Sequence, residues 1–139
     1  MNLTLTELAQ KVYNARSLPG ELAELHITLA SMYSTESEKM MELQLNKADY
    51  WLLKDLQVTT PGGARINFVN YEELKEAMEE SYLVDREKPL SDKQVEMMWL
   101  QTEEGKKEIK LKYTLRSIEK LMSAVKSSMV NSAIEAKNI

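Results

Sequence analysis

The sequence contains no cysteine, which excludes disulfide bonds and thiolate ligands for a metal ion. The one histidine, His26, lacks a glutamate three residues before it or a second histidine four residues away, the spacings typical of helical zinc sites. The segment "TTPGGAR" lacks the Gly-Lys-Ser/Thr ending of a phosphate-binding loop, so we expect a turn there, although Arg65 could meet an anion. These absences predict no catalytic residue, no cofactor and no metal ion.

Glycine and proline are scarce, with four glycines and three prolines among 139 residues. The sequence also lacks the β-branched and aromatic richness of a sheet protein, whereas Leu, Lys, Glu, Met and Ala, which favour helices, abound. Length and composition therefore predict one all-α domain over residues 1–139. The proline-containing breaks separate four predicted helices, which cover residues 4–17, 21–58, 71–84 and 92–130.

Three of these helices are predicted to begin at a capping residue. Thr4, Asn70 and Ser91 each stand three residues before a Glu or Gln, which is the spacing of a capping box. The helices over 21–58 and 92–130 have nearly equal lengths. We therefore expect a coiled-coil-like bundle, in which these two form an antiparallel pair with two or three short helices packed against it.

The last helix carries apolar residues on two opposite sides. Its C-terminal part has a seam with alternating spacings of four and three, typical of a coiled coil: Leu111, Leu115, Ile118, Met122, Val125 and Met129. On roughly the opposite side lie Val95, Met98, Thr102, Ile109 and Tyr113, so the apolar face changes sides between about residues 105 and 111. Either the helix breaks near Gly105, or it is continuous and faces two partners. A single glycine costs only about 1 kcal/mol in a helix, so we favour continuity, which predicts a homo-oligomer, with a dimer favoured.

The same helix carries the densest positive charge in a chain whose net charge is -4. The cations proposed to contact nucleic acid are Lys106, Lys110, Lys112, Arg116 and Lys120. Such a row could neutralise phosphates, with Trp99 or Tyr113 stacking on bases. However, glutamates are interleaved with the cations, and the alternative is a solvated helix side that pairs with the acidic first long helix. We favour this alternative.

Trp51 and Trp99 are each flanked by apolar residues. We predict that both tryptophans and the residues of the apolar seam are core or interface residues. No apolar run approaches the length of about 20 residues that spans a bilayer, and "MNLTLTELAQKVYNAR" lacks the apolar segment of a signal peptide. We therefore expect a cytoplasmic protein without membrane contact.

The segments "STESEKMMELQLNKADYWLL" and "SDKQVEMMWLQTEEGKKEIKLKYTLRSIEKLMSAVKS" resemble small helical proteins encoded by tailed bacteriophages and prophages. The resemblance covers the two long helices, roughly half the chain, and includes no catalytic motif. It implies a non-enzymatic accessory protein in DNA recombination or replication within a bacterial host. We predict function through contacts with an unidentified protein partner. The alternatives are a single- or double-stranded DNA-binding module and, less favoured, an enzyme site assembled between subunits from carboxylates and His26.

Overall fold

A computed structural model gives the structure of residues 4–66 and 68–137, with side chains described as far as residue 131. The chain is mostly helical, as predicted, but it also contains a small two-stranded sheet that was not predicted. The elements in chain order are α1 (Leu5–Asn14), α2 (Pro19–Tyr50), a 3₁₀ turn (Trp51–Lys54), β1 (Leu56–Thr59), α3 (Tyr71–Glu80), β2 (Tyr82–Asp85), α4 (Asp92–Gln101) and α5 (Glu103–Lys137).

The predicted helix starts are confirmed by their hydrogen bonds. Thr4 and Ser91 each form a complete capping box, in which the cap side chain and the side chain three positions on accept from each other's backbone N–H. Asn70 Oδ1 accepts from the backbone N–H of Glu73 at 2.8 Å. These bonds satisfy amides that the first helical turn leaves without a partner.

The described residues group into two compact units where a single domain was predicted. The terminal unit contains residues up to Lys39 and from Leu111 onward, and the central unit contains Met40–Lys110, so α2 and α5 contribute to both. The terminal unit has a core of Leu8, Val12, Ala15, Leu22, Leu29, Ile118 and Val125. The central unit has a core of Tyr50, Leu53, Val58, Leu74, Ala77, Val95 and Trp99. The antiparallel pairing of the long helices over their full length stays a prediction.

The helix predicted over 21–58 ends at Tyr50, and β1 follows the 3₁₀ turn. β1 pairs with β2 in antiparallel register, with Leu56 opposite Asp85 and Thr59 opposite Tyr82. The helix predicted over 71–84 also ends early, at Glu80, because residues 82–84 belong to β2. Neither segment contains a proline or glycine that would stop a helix. The strand pairing and the burial of Val58 outweigh the local preference for helix.

The helix predicted over 92–130 is two helices, because Thr102 interrupts it. Thr102 has extended backbone angles, φ -76° and ψ 159°. Its hydroxyl donates to the carbonyl of Trp99 at 2.6 Å and accepts from the backbone N–H of Gly105 at 3.0 Å. Thr102 therefore ends α4 and caps α5 with a single residue.

Gly105 is required by this junction, although the break itself lies three residues earlier. A β-carbon on Gly105 would stand 2.0 Å from the carbonyl oxygen of Trp99, which is backbone and cannot rotate away. Val95 and Trp99 are buried from α4, which is a separate helix, whereas Ile109 and Tyr113 of α5 are exposed. The prediction of a continuous helix is therefore wrong, and the oligomer stays a prediction.

We expect Gly105→Ala to lower the free energy of unfolding by about 1–3 kcal/mol, the usual cost of forcing an extra carbon into a packed site. Urea unfolding followed by tryptophan fluorescence measures this change. Gly20→Ala is the matched control, because Gly20 also lies in a helix but a β-carbon there meets no atom within 4 Å. The control should be neutral or stabilise the protein by up to about 1 kcal/mol. Equal effects of the two substitutions would contradict the tight junction.

Candidate nucleic-acid interface on the last helix

The cations of α5 lie on a face that is exposed to solvent. Residues 106, 109, 113, 116 and 120 follow the three-and-four spacing of one helix side, and 110 and 112 lie on its flanks. We call this set the basic face: Lys106, Ile109, Lys110, Lys112, Tyr113, Arg116 and Lys120, all of which are exposed. It includes every cation that was predicted to contact nucleic acid.

The opposite side of α5 carries the apolar seam, which packs largely within the chain. Ile118 and Val125 are fully buried in the core of the terminal unit, and Met122 packs against that core. Leu111 and Leu115 are half-buried, and Met129 is exposed. Burial of this seam turns the opposite side of the helix, with its lysines, toward solvent.

The glutamate that follows Lys107 points away from the basic face. Glu108 is only 7% exposed, and its Oε1 accepts from the ammonium of Lys47 at 3.2 Å and from the indole N–H of Trp99 at 3.4 Å. Since Lys47 belongs to α2 and Trp99 to α4, this carboxylate joins three helices within the central unit. Its charge is matched by Lys47 and is therefore not available to neutralise the lysines of the basic face.

Lys47 also forms an ion pair with Glu96 at 3.1 Å, so its ammonium lies between two carboxylates. Burial by itself would lower the pKa of Lys47, but the hydrogen bonds to Glu96 and Glu108 outweigh burial and hold the pKa above its ordinary value. Lys47 therefore stays charged at neutral pH, and the paired charges hold α2, α4 and α5 together.

Two more carboxylates of α5 are held by groups on other elements. Glu119 accepts a hydrogen bond from the hydroxyl of Tyr33 at 2.9 Å, and this bond raises the pKa of Tyr33. Glu104 accepts from the backbone N–H of Tyr71 at 2.8 Å, at the start of α3. Glu104, like Glu108, lies on the side of α5 away from the basic face, whereas Glu119 is exposed and lies two turns after Lys112, at the edge of that face.

The basic face carries five cations, and one exposed carboxylate, Glu119, lies at its edge beside Lys112. Among the described residues, none of these five cations forms an ion pair. Because glutamates alternate with the cations in the sequence, we favoured a solvated helix side, with its positive charge neutralised, over nucleic-acid binding. Positions 104 and 108 fall on the inner side of the helix, whereas Glu119 is exposed beside Lys112, so the solvated helix side stays a prediction.

The two tryptophans occupy different environments. Trp99 is fully buried, with its ring centroid 5.5 Å from that of Tyr50, so it belongs to the core and is not available to stack on bases. Trp51 is half-buried, and the ammonium of Lys47 lies 5.7 Å from the centroid of its ring. Of the two aromatic residues proposed for base stacking, Tyr113 alone is exposed.

The described residues also bear on the other chemistries considered from the sequence. His26 is half-buried on α2. The described side chains, in residues 4–66 and 68–131, include no group of three or more His, Cys, Asp or Glu arranged to hold a metal ion. Within the same part of the chain, every helix is too short or too polar to cross a membrane.

Comparison with known proteins yields no relative, since no family model, curated protein or solved structure matches the chain.

We expect Glu108→Gln to lower the free energy of unfolding by about 2 kcal/mol, because hydrogen bonds to charged groups are worth about 1.5–3 kcal/mol. Glu103→Gln is the control, since it makes the same change of charge on an exposed residue of the same helix. The control should change stability by less than about 0.5 kcal/mol. Urea unfolding measures both, and a similar small loss in both variants would show that Glu108 is not held as described.

Proposed function

We propose that this chain is a non-catalytic helical accessory protein that binds single-stranded nucleic acid through the basic face of α5. The observation that carries the proposal is the separation of charge on this helix. Its cations are exposed on one side, whereas Glu104 and Glu108 are held by groups on the other side. A positive face on a chain of net charge -4 concentrates attraction for a polyanion at one place.

The dimensions of the basic face suit a nucleic-acid strand. Within the terminal unit, α5 rises about 12 Å from Lys112 to Lys120, at 1.5 Å per residue. Because these residues belong to one helix, the helix itself fixes their spacing. Each phosphate that a cation neutralises releases a condensed counterion, so several such ion pairs give affinity without sequence preference.

Tyr113 favours a single strand over a duplex. Its side chain is 63% exposed and lies among the cations, next to Lys112 and three residues before Arg116. An unpaired base can stack on an aromatic ring, which is worth about 1–3 kcal/mol per base, whereas the bases of a duplex are already stacked on each other. This activity agrees with the role in phage DNA recombination or replication that the sequence resemblance implies.

We expect Arg116→Glu to weaken binding of a fluorescently labelled single-stranded oligonucleotide by about tenfold at low salt, because it replaces an attraction to phosphate with a repulsion. The control is Lys107→Glu, which makes the same charge change on the same helix, at an exposed position off the basic face. Fluorescence anisotropy at several salt concentrations measures both. The slope of log affinity against log salt should become shallower by about 0.7 for each phosphate that the protein no longer neutralises.

Tyr113→Ala separates stacking from charge in the same assay. It should weaken binding of the single strand by about 1–3 kcal/mol and leave duplex binding unchanged. Absence of binding by the unaltered protein at low salt, or equal losses of affinity in the Arg116→Glu and Lys107→Glu variants, would overturn the proposal.

A second candidate function is protein–protein association through α2. Met41 and Leu45 are 60% and 65% exposed, and with exposed Ala48 they follow spacings of four and three on α2. This spacing is that of a seam through which two identical helices pair, so the partner we propose is a second copy of the chain. An exposed apolar stripe of this kind is typical of an interface.

Light scattering after size exclusion tests this dimer. The unaltered protein should dimerise, and Leu45→Glu should shift it to monomer because a carboxylate would be buried in the seam. Gln44→Glu introduces the same charge one residue away and should leave the dimer intact. A monomer at the highest attainable concentration of unaltered protein would contradict this candidate function.

A further inference from the structure

The central unit contains a cavity of about 500 Å³ that is separate from the basic face of α5. The 3₁₀ turn, β1, the loop after β1, the residues after β2, and α4 contribute to its wall. Its lining consists of Tyr50, Leu53, Gln57, Val58, Arg65, Ile66, Phe68, Arg86, Leu90, Met98 and Gln101. The volume lies within the usual range for a small-molecule site, and two arginines but no carboxylate line it.

Arg86 is held in place by the backbone beneath it. Its Nε donates to the carbonyl oxygens of Leu53 at 2.6 Å and Leu56 at 3.1 Å. In the described part of the chain, no hydrogen bond or ion pair engages the two terminal nitrogens of its guanidinium. A guanidinium that is held at Nε and has free terminal nitrogens can bind an oxyanion through two parallel hydrogen bonds.

The second arginine adds like charge to the same cavity. Burial lowers the pKa of Arg86, and the charge of Arg65 lowers it further, so the two guanidiniums repel each other. Arg65 is exposed on the loop after β1, where it is free to approach a ligand. An anion between the two would offset both the repulsion and the loss of hydration.

The other lining residues suit a ligand with polar edges and apolar faces. Phe68 and Met98 offer an aromatic ring and a polarisable thioether, both of which pack well against a flat ring. The carboxamides of Gln57 and Gln101 can each donate and accept hydrogen bonds at the edge of a heterocycle. The cavity thus combines an anion-binding end with groups that would hold a ring.

We propose that this cavity binds a phosphomonoester carried on a heterocyclic ring, which is the chemistry of a nucleoside monophosphate. Arg65 and Arg86 bind the phosphate, and Phe68, Met98 and the two glutamines hold the base and sugar. Sequence alone pointed to Arg65 as a residue that could meet an anion, whereas Arg86, in "LVDREKP", carried no signal. The site is independent of the nucleic-acid binding proposed for α5.

The test is an NMR titration of the full chain with nucleoside 5′-monophosphates at millimolar concentration. We expect shifts of the side-chain signals of Arg86 Nε–H and of the Gln57 and Gln101 amides. The matched nucleosides, which lack phosphate, and benzoate, a ring with a carboxylate, should bind at least about tenfold more weakly, because each forms fewer charge-assisted hydrogen bonds with the arginines. Equal binding of nucleoside, or of benzoate, would overturn the assignment of phosphate.

Arg65→Ala is the variant of choice, because Arg65 is exposed and its removal does not threaten the fold. It should weaken nucleotide binding by about tenfold, while Lys75→Ala, which removes an exposed cation of α3, should have no effect. Arg116→Glu should also leave nucleotide binding unchanged, which separates this site from the basic face. An unaltered affinity in Arg65→Ala, shifts confined to α5, or no shift at all would overturn the proposal.

Discussion

The close approach of Gly105 to the carbonyl of Trp99 determines how α4 meets the start of α5. Because no side chain separates them, a single residue, Thr102, lies between α4 and α5 and serves as their shared cap. The same junction places the indole of Trp99 within hydrogen-bonding distance of Glu108, one turn into α5. These contacts fix the first turns of α5 within the central unit.

Hydrogen bonds to other elements engage carboxylates of α5. Glu108 is buried and fixed by Lys47 and Trp99, whereas Glu119 is exposed and accepts from the hydroxyl of Tyr33. The lysines and Arg116 have no such partners and face solvent. A helix with interleaved charges in sequence thus becomes a helix with one basic side, and this separation is the physical basis of the proposed nucleic-acid binding.

Local signals predicted local structure well. The caps at Thr4, Asn70 and Ser91 were evident from spacing alone, because a cap depends on residues within one turn. The strands and the break at Thr102 could not be read in the same way. β1 and β2 depend on pairing with each other, and the break depends on a close approach of Gly105 that has no sequence pattern. The cations of the basic face were identified from the sequence. Whether a nearby glutamate can neutralise them depends on its tertiary partner, such as Lys47 for Glu108.

The most direct test of the account is an NMR titration of isotopically labelled protein with a short single-stranded oligonucleotide. The account predicts that the largest shifts of backbone amides fall at residues 106, 109, 113, 116 and 120, and that these shifts disappear at high salt. The inner seam at Ile118 and Val125 should change little, since it is buried. Shifts centred outside α5, or none at low salt, would contradict the claim that this helix presents a nucleic-acid-binding face.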